Sequence, residues 1–487
     1  MFLFASFGLF YAFANSFDLV SPAAISQNLK LLIFFLAFVG FGSKAGVFPF
    51  HIWLPHAHPA APSHISAIMS GVMIKMGIYG ILRMYLVLSP NSMILPITII
   101  IVGIISGFLG VIYALGQSNI KKALAYSSIE NIGIILIGIG LGMLGSLTSN
   151  KEMALLGYAG ALMHILNHAM FKSLLFMGAG SVLHSTCSIE IEKLGGLIKK
   201  MQITGVTFLI GSVAISGLPP LNGFVSEFLI YLSFFKSNIA DKWIFILSMF
   251  AIISLALIGG LAVACFTRIF GIVFLGEPRT NVAKGAHKER PFMIYSMIIL
   301  TFICIIIGIL PGIFLKYVSK PALLLAQLEY LPDYELKLFN IADISGNISL
   351  AALFFCVFAG LLTLIRGYFY AKKEVTREST WGCGFSRSSS RMQYTGSSFA
   401  STIMEFNSSM APLTEEFKEP NGIFPTSSKY FSKINDIAEV FIVNRIVFPF
   451  MRFIKLLRWI QHGEIQLYVA YIVFALLMML FVVWVWR

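Results

Sequence analysis

LMHILNHAMFKSLLFMGAGSV, residues 162–182, decides how the rest of the chain is read. It lies in an apolar run from 153 to 184, and about 20 such residues cross a bilayer as a helix. Yet it carries His164, His168 and Lys172 at i, i+4 and i+8. That spacing places all three on one helix face, over about 12 Å of rise. An ionisable group near the centre of a spanning helix costs at least about 2.5 kcal/mol, so a titratable stripe there points to a buried polar function rather than to packing. Imidazole titrates near neutral pH and the lysine ammonium carries an exchangeable proton. Such neighbours can exchange protons through intervening water without a metal.

Working outward, the 487 residues are 57% apolar and 12% charged, with mean hydropathy +0.85. A soluble domain is about a quarter charged. Soluble enzymes and nucleic-acid binders are thereby excluded, and the lipid bilayer is the first partner. Runs at roughly 2–15, 31–55, 65–88, 94–116, 122–147, 153–184, 204–233, 243–275, 293–316, 347–370 and 465–486 predict an all-α polytopic membrane protein with about 11 transmembrane helices. The net charge of +13 belongs in loops. Lys121 and Lys122, then Lys193, Lys199 and Lys200, then Arg279, Lys284, Lys288 and Arg290, then Lys372, Lys373 and Arg377 fall on one side, which should be cytoplasmic. The segment 317–346 is expected as a loop on the opposite side, where Glu329, Asp333, Glu335 and Asp343 balance Lys320 and Lys337.

Further ionisable residues lie inside the runs: Lys44, Lys75, Arg83, Glu130, Glu227 and Arg268. With the 164/168/172 stripe, Lys44, Lys75 and Glu227 form a candidate proton pathway. Arg83, Glu130 and Arg268 lie nearer predicted ends, where snorkelling or an ion pair competes with a pathway role. Two runs carry a breaker beside a charge: Pro49 follows Lys44, and Pro219 and Pro220 precede Glu227. Proline removes a backbone donor, and the opened helix is tolerated at membrane depth only in protein or beside a wet cavity. Two broken helices are therefore expected. His51, His56, His58 and His64 in HIWLPHAHPAAPSH have no nearby cysteine or carboxylate, so a wet loop at the cytoplasmic mouth is expected there and no metal site. Cys187, Cys265, Cys304, Cys356 and Cys383 are scattered without CxxC spacing, which gives no iron-sulfur ligand set. No catalytic centre and no cofactor site is read in this chain. Beyond 370 the composition turns polar until VFIVNRIVFPFMRFIKLLRWIQ at 440–461. Its Arg445, Arg452, Lys455 and Arg458 alternate with apolar residues, as in a lateral amphipathic helix at the membrane surface.

Four stretches in order, GSKAGVFPFHIWLPHAHPAAPSHISAIMSGVMIKMGIYGILR at 42–83, IKKALAYSSIENIG at 120–133, LMHILNHAMFKSLLFMGAGSV at 162–182 and SGLPPLNGFVSEF at 216–228, resemble a known family. It is the proton-conducting, antiporter-like membrane subunits of complex I, formate hydrogenlyase, membrane-bound hydrogenases and multisubunit Na+/H+ antiporters. The tail WGCGFSRSSSRMQYTGSSFA at 381–400 resembles the hydrogenase-4 component B and formate hydrogenlyase subunit 3 branch. The resemblance implies an antiporter-like inverted repeat. In it Lys44 is the lysine of the first broken helix, Lys75 a central relay lysine, Lys172 the lysine of the second repeat, Glu227 the terminal acid, and His164 and His168 the bridging histidines. Family members have further N-terminal helices, one with a glutamate that pairs with the lysine matched by Lys44, so the first repeat is expected to be incomplete. The implied organisation is a remnant of the first repeat at 1–90, a second repeat at 91–275, additional helices at 276–370, a cytoplasmic-side loop with the lateral helix at 371–464, and a final span at 465–487. The implied function is proton translocation beside soluble hydrogenase or oxidoreductase subunits and other membrane subunits in a prokaryotic cytoplasmic membrane. Iron-sulfur clusters and a NiFe centre would sit in those partners, and no nucleic acid is involved. The alternatives are a Na+/H+ antiporter subunit and a structural membrane anchor.

Overall fold

Backbone groups in a bilayer must find their hydrogen bonds within the chain, and long apolar runs do so as helices. The computed structural model describes residues 1–14, 16, 18, 25–237, 242–328, 332–371, 373, 389–420, 422, 428–456 and 465–485. The chain divides into two units, Met1–Ile434 and Asn435–Arg487.

In the first unit α1 (Phe2–Ala14) packs along α2 (Gln27–Ala45). Then come α3 (Leu54–Ala60), α4 (Ser63–Ile68), a π-helical turn Met69–Met73 and α5 (Lys75–Leu88). The next three helices are α6 (Ile94–Leu115), α7 (Ile120–Leu147) and α8 (Lys151–Thr186). Asn119 and Asn150 start α7 and α8 by accepting from the amides of Lys122 and Met153, both at 3.1 Å. The centre is α7, whose most apolar 18-residue window is wholly buried. Glycines let α6 come against it: a Cβ on Gly133 would lie 2.4 Å from the Gly107 nitrogen.

The expected run 204–233 is two helices, α9 (Gln202–Ile215) and α10 (Asn222–Phe235), separated by the turn that holds Pro219 and Pro220. Likewise α2 ends before Pro49, and α3 begins only at Leu54. Both expected helix breaks are present. After α11 (Lys242–Phe274) and the short α12 (Asn281–Lys284), α13 (Pro291–Ile309) is interrupted at Leu310 and continues as α14 (Pro311–Leu325). Pro291 and Pro311 each open a helix, the position at which proline's missing donor costs least. Gly308 of α13 fits against the Pro220 carbonyl of the second break, where a Cβ would meet the oxygen at 2.0 Å.

The expectation of a loop at 317–346 is corrected. Apart from the turn at 326–328, the described residues there belong to α14 and to α15 (Pro332–Tyr370), which runs 39 residues. Their balanced charges and the proline at 321 read as loop chemistry, but Leu323, Leu338 and Ala342 bury an apolar seam against the bundle. Glu152 binds Lys236 at 2.8 Å and Lys337 at 2.6 Å at this end. Glu329 lies outside the described residues. Eight described helices are long and apolar enough to cross a membrane, and α1, α9 and α10 are shorter apolar ones; the eleven expected crossings count broken helices as single spans. The helix α8 is longer than most but too polar to be among the eight, because it carries the titratable stripe.

Past α15, α16 (Gly396–Phe406) and an antiparallel hairpin, β1 (Leu413–Lys418) with β2 (Lys429–Ile434), occupy the stretch expected to be loop. Residues 381–388 of the tail motif, with Cys383, lie outside the described residues, as do Lys372, Arg377, Arg458 and Arg487. The second unit holds α17 (Ile437–Ile442), a π-helical turn Val443–Val447, α18 (Phe448–Leu456) and α19 (Ile465–Val485). Arg445, Arg452 and Lys455 are exposed on it among apolar residues.

Candidate functional site

The titratable residues of α8 face α7 and α10, and uncharged polar groups stitch them together. Lys172 is fully buried. Its Nζ donates to the Leu124 carbonyl at 2.9 Å and to Ser127 Oγ at 2.5 Å, both on α7. It also lies 6.0 Å from the centre of the Phe266 ring of α11. His164 bridges two helices: Nδ1 is 2.9 Å from Ser226 Oγ of α10, and Nε2 is 3.1 Å from Asn131 Oδ1 of α7. Asn131 in turn donates to the Ser127 carbonyl at 2.7 Å. A continuous path of polar contacts thus runs from Lys172 through Ser127 and Asn131 to His164 and Ser226. His168 lies between, its ring nearly parallel to that of His164 at 6.5 Å, and neither of its nitrogens has a hydrogen-bond partner. A buried polar atom without a protein partner is where ordered water belongs.

A second arm reaches Lys75. The π-helical turn before it leaves the Ser70 carbonyl to accept from Lys75 Nζ at 2.5 Å. Ser70 Oγ meets Ser128 Oγ of α7 at 2.8 Å. Ser128 donates to the Leu124 carbonyl at 2.9 Å, the same oxygen that Lys172 binds. The two buried lysines therefore share one short chain, Ser70, Ser128 and Leu124. Close packing of the π turn on α8 needs Gly71, where a Cβ would stand 2.4 Å from Ser173 Oγ.

At the second break Asn167 Nδ2 donates to the Asn222 carbonyl at 2.7 Å and to Ser226 Oγ at 3.0 Å, which ties α8 to the first turns of α10. Glu227 is buried on the same helix. Its carboxylate rests on Gly217, which has φ +63° and would put a Cβ 2.4 Å from Oε2. Glu130 of α7 is buried, with both carboxylate oxygens unpaired, and lies within electrostatic range of Lys172 and Glu227.

Other expected residues fall elsewhere. Lys44 is exposed in the last turn of α2, and Arg83 is exposed on α5. The first break, with Pro49, is closed by Trp53 Nε1 donating to the Ser43 carbonyl at 2.8 Å and by the Phe48 amide donating to Ser106 Oγ at 3.2 Å. Arg268 is buried, and its guanidinium binds backbone carbonyls of Gln117 and Gly396 rather than any residue of the axis. The histidine stretch is largely helix rather than loop: His56 and His58 lie in α3 and His64 in α4. His56 and His64 are exposed, whereas His51 is buried and His58 is buried and stacks on Phe176 at 4.6 Å, an aromatic seat the spacing did not announce. Among the described residues no group of three His, Cys, Asp or Glu could hold a metal ion. Sequence reasoning passed over Ser70, Ser127, Ser128, Asn131, Asn167, Asn222 and Ser226. The available signal was their i, i+4 recurrence, as in Ser127 with Asn131 and Asn222 with Ser226, on faces shared with the charges.

A polytopic helical bundle with helix breaks at Pro49 and at Pro219–Pro220 and a buried lysine, histidine and glutamate axis defines an antiporter-like membrane subunit. The chain belongs to the family described as NADH:quinone oxidoreductase/Mrp antiporter, TM, which matches residues 1–255. It is 44% identical over 303 residues to hydrogenase-4 component B of Escherichia coli (strain K12), which covers 61% of this chain and 45% of that one. It is 41% identical over 278 residues to formate hydrogenlyase subunit 3 of the same organism, over 57% of this chain and 46% of the relative. The chain thus spans about half the length of these two relatives. The fold is shared with a chain of the membrane-bound sulfane sulfur reductase, an archaeal respiratory membrane complex, at TM-score 0.69 and 23% identity, over 98% of this chain and 74% of that one.

Proposed function

We propose that this chain is a proton-translocating, antiporter-like subunit of a membrane-bound hydrogenase, formate hydrogenlyase or related oxidoreductase complex in a prokaryotic cytoplasmic membrane. The observation that carries the reading is the shared Leu124 carbonyl, which puts Lys75 and Lys172 on one hydrogen-bonded chain inside the bundle. Charge on one lysine then raises the cost of charge on the other, because both sit in a low-dielectric interior. A redox event in a partner that changes the occupancy of one site shifts the next, and protons move between Lys172 and His164 and on toward Glu227 at the break through water held among Ser127, Asn131 and Ser226. His168 and Glu130, both without hydrogen-bond partners, are where water completes the path. Lys44 is given its role by the resemblance alone. Iron-sulfur clusters and a NiFe centre belong to soluble partner subunits in this reading, and the basic loops face the cytoplasm.

Reconstituted complex tests it. Lys172→Ala and Glu227→Ala abolish proton translocation in proteoliposomes while the subunits still co-purify. Lys172→Arg impairs it as well, since arginine keeps the charge but does not release the proton. Wild-type pumping by both alanine variants refutes the pathway; transport that requires sodium moves the assignment to a Na+/H+ antiporter subunit.

A further inference from the structure

Arg268 has a permanent charge, 3% exposure and no place on the axis just described. Its Nε donates to the Gly396 carbonyl at 2.8 Å and its Nη1 to the Gln117 carbonyl at 3.0 Å. These acceptors come from just past the end of α6 and from the first turn of α16, so the guanidinium pins the segment that follows α15 onto the bundle. Glu192 completes the seat by accepting from the Ser397 amide at 2.8 Å. A Cβ on Gly396 would lie 2.9 Å from Glu192 Oε1 and 3.1 Å from Arg268 Nη2, which leaves no space between segment and pair. Around it, Arg279 Nη2 donates to the Tyr394 carbonyl at 2.6 Å, Gln393 binds Glu277 in both directions, and Tyr113 donates to the Met410 carbonyl at 3.0 Å. One helical turn further in on α11 stand Cys265, buried, and Phe266, whose ring lies beside the Lys172 ammonium. From the basic loops inward the order is the 393–411 segment, Arg268, Cys265 with Phe266, then Lys172.

We propose that Arg268, seated by Gly396, Gln117 and Glu192, is a charged stopper that closes the basic-loop side of Lys172 to protons, with the 393–411 segment as its lid. The inference rests on the proton-conducting reading of Lys172. A guanidinium does not release its proton, and an arginine fixed on a narrow route is an electrostatic barrier to cations. Its two hydrogen-bond acceptors are neutral carbonyls, and the Glu192 carboxylate beside it acts on the guanidinium through space. A soluble partner that lifts Gly396 removes one acceptor and frees the Ser397 amide from Glu192. The tail then reports partner docking to the ion site.

The test uses the full chain in its complex, with Cys187, Cys304, Cys356 and Cys383 replaced by serine so that Cys265 is the only thiol of this chain. Two quantities are read: the rate of maleimide labelling at Cys265, and passive proton leak into proteoliposomes under an imposed potassium diffusion potential without turnover. In Arg268→Gln, labelling rises at least about tenfold, the change that loss of one charged hydrogen bond gives a local opening, and leak appears. Arg268→Lys keeps the charge but carries a proton it can release, so leak falls between wild type and Arg268→Gln while labelling rises. Glu192→Leu keeps the guanidinium and removes the acceptor of the Ser397 amide, giving faster labelling; it carries the test where Arg268→Gln does not assemble. Unchanged labelling in Glu192→Leu and in assembled Arg268→Gln overturns the lid, and faster labelling of Arg268→Gln without leak overturns the stopper. Failure of the proton reading itself is seen separately, as normal pumping by Lys172→Ala.

Discussion

Replacing Gly217 by alanine strikes the second helix break at the point where it holds Glu227. Two costs are readable from the backbone. Gly217 has φ +63°, a left-handed conformation that costs an L-residue roughly 1–2 kcal/mol. The new methyl would stand 2.4 Å from Glu227 Oε2, 2.7 Å from its Cδ and 2.8 Å from Oε1. Ordinary carbon contacts begin near about 3.5 Å, so the carboxylate must move by roughly 1 Å. A displacement of that size at a site that depends on geometry costs about a hundredfold in rate. The expected result is a moderate loss of thermal stability in detergent and a loss of proton translocation of about two orders of magnitude per assembled complex. Gly217→Asn separates the terms, because asparagine tolerates the left-handed backbone but still brings a Cβ. It should regain part of the stability and none of the transport. Translocation at the wild-type rate in both variants would show that the position of Glu227 does not matter, and the role of the break in transport would fall with it.

Ser128→Ala cuts the only described side-chain link between the Lys75 and Lys172 arms. Stability drops by about 1 kcal/mol and, with a similar rise in the transfer barrier, translocation falls about fivefold; an unchanged rate would remove the serine bridge from the pathway. Glu152→Gln breaks the exposed pairs with Lys236 and Lys337, so it lowers the thermal midpoint slightly, an effect that vanishes at high salt, and leaves transport alone. A transport defect would place that end of α8 on the route. With Cys187 and Cys356 removed, a membrane-impermeant thiol reagent applied outside the cell should label Asn340→Cys and spare Gly285→Cys; the reverse pattern would invert the orientation.

Much of this architecture is legible in the sequence, and for one reason. In an apolar run each charge is conspicuous, because the bilayer makes it expensive. Lys75, His164, His168, Lys172 and Glu227 stand out, and the breaks announce themselves through Pro49, Pro219 and Pro220. What joins them is quieter. Ser70, Ser127, Ser128 and Asn131 are common in helices, and only tertiary neighbours turn them into a chain. The π-helical turn that aims Lys75 has no composition signal, since Met69–Met73 reads as ordinary helix. Burial was equally hidden: Lys44 and Lys172 look alike in their runs, yet one is exposed and the other is not. The stretch 317–346 misled because mixed charge and a proline suit a loop, whereas the fold uses the charges at a helix end and buries the leucines.

The place of Lys172 along α8 also has an electrical meaning. The helix has 36 residues, about 54 Å at 1.5 Å each, comparable to a bilayer with its headgroups. Its midpoint falls near His168, and Lys172 stands about 21 Å from the Thr186 end and about 30 Å from Glu152. On the proposed pathway, a proton that binds Lys172 has therefore crossed close to half of the transmembrane voltage drop before it meets the second half of the route. At about 2.3 kcal/mol per charge per 100 mV, the membrane potential adds or subtracts roughly 1 kcal/mol from loading this site. Occupancy of the lysine is then itself voltage-dependent, and a strongly energised membrane biases it from within.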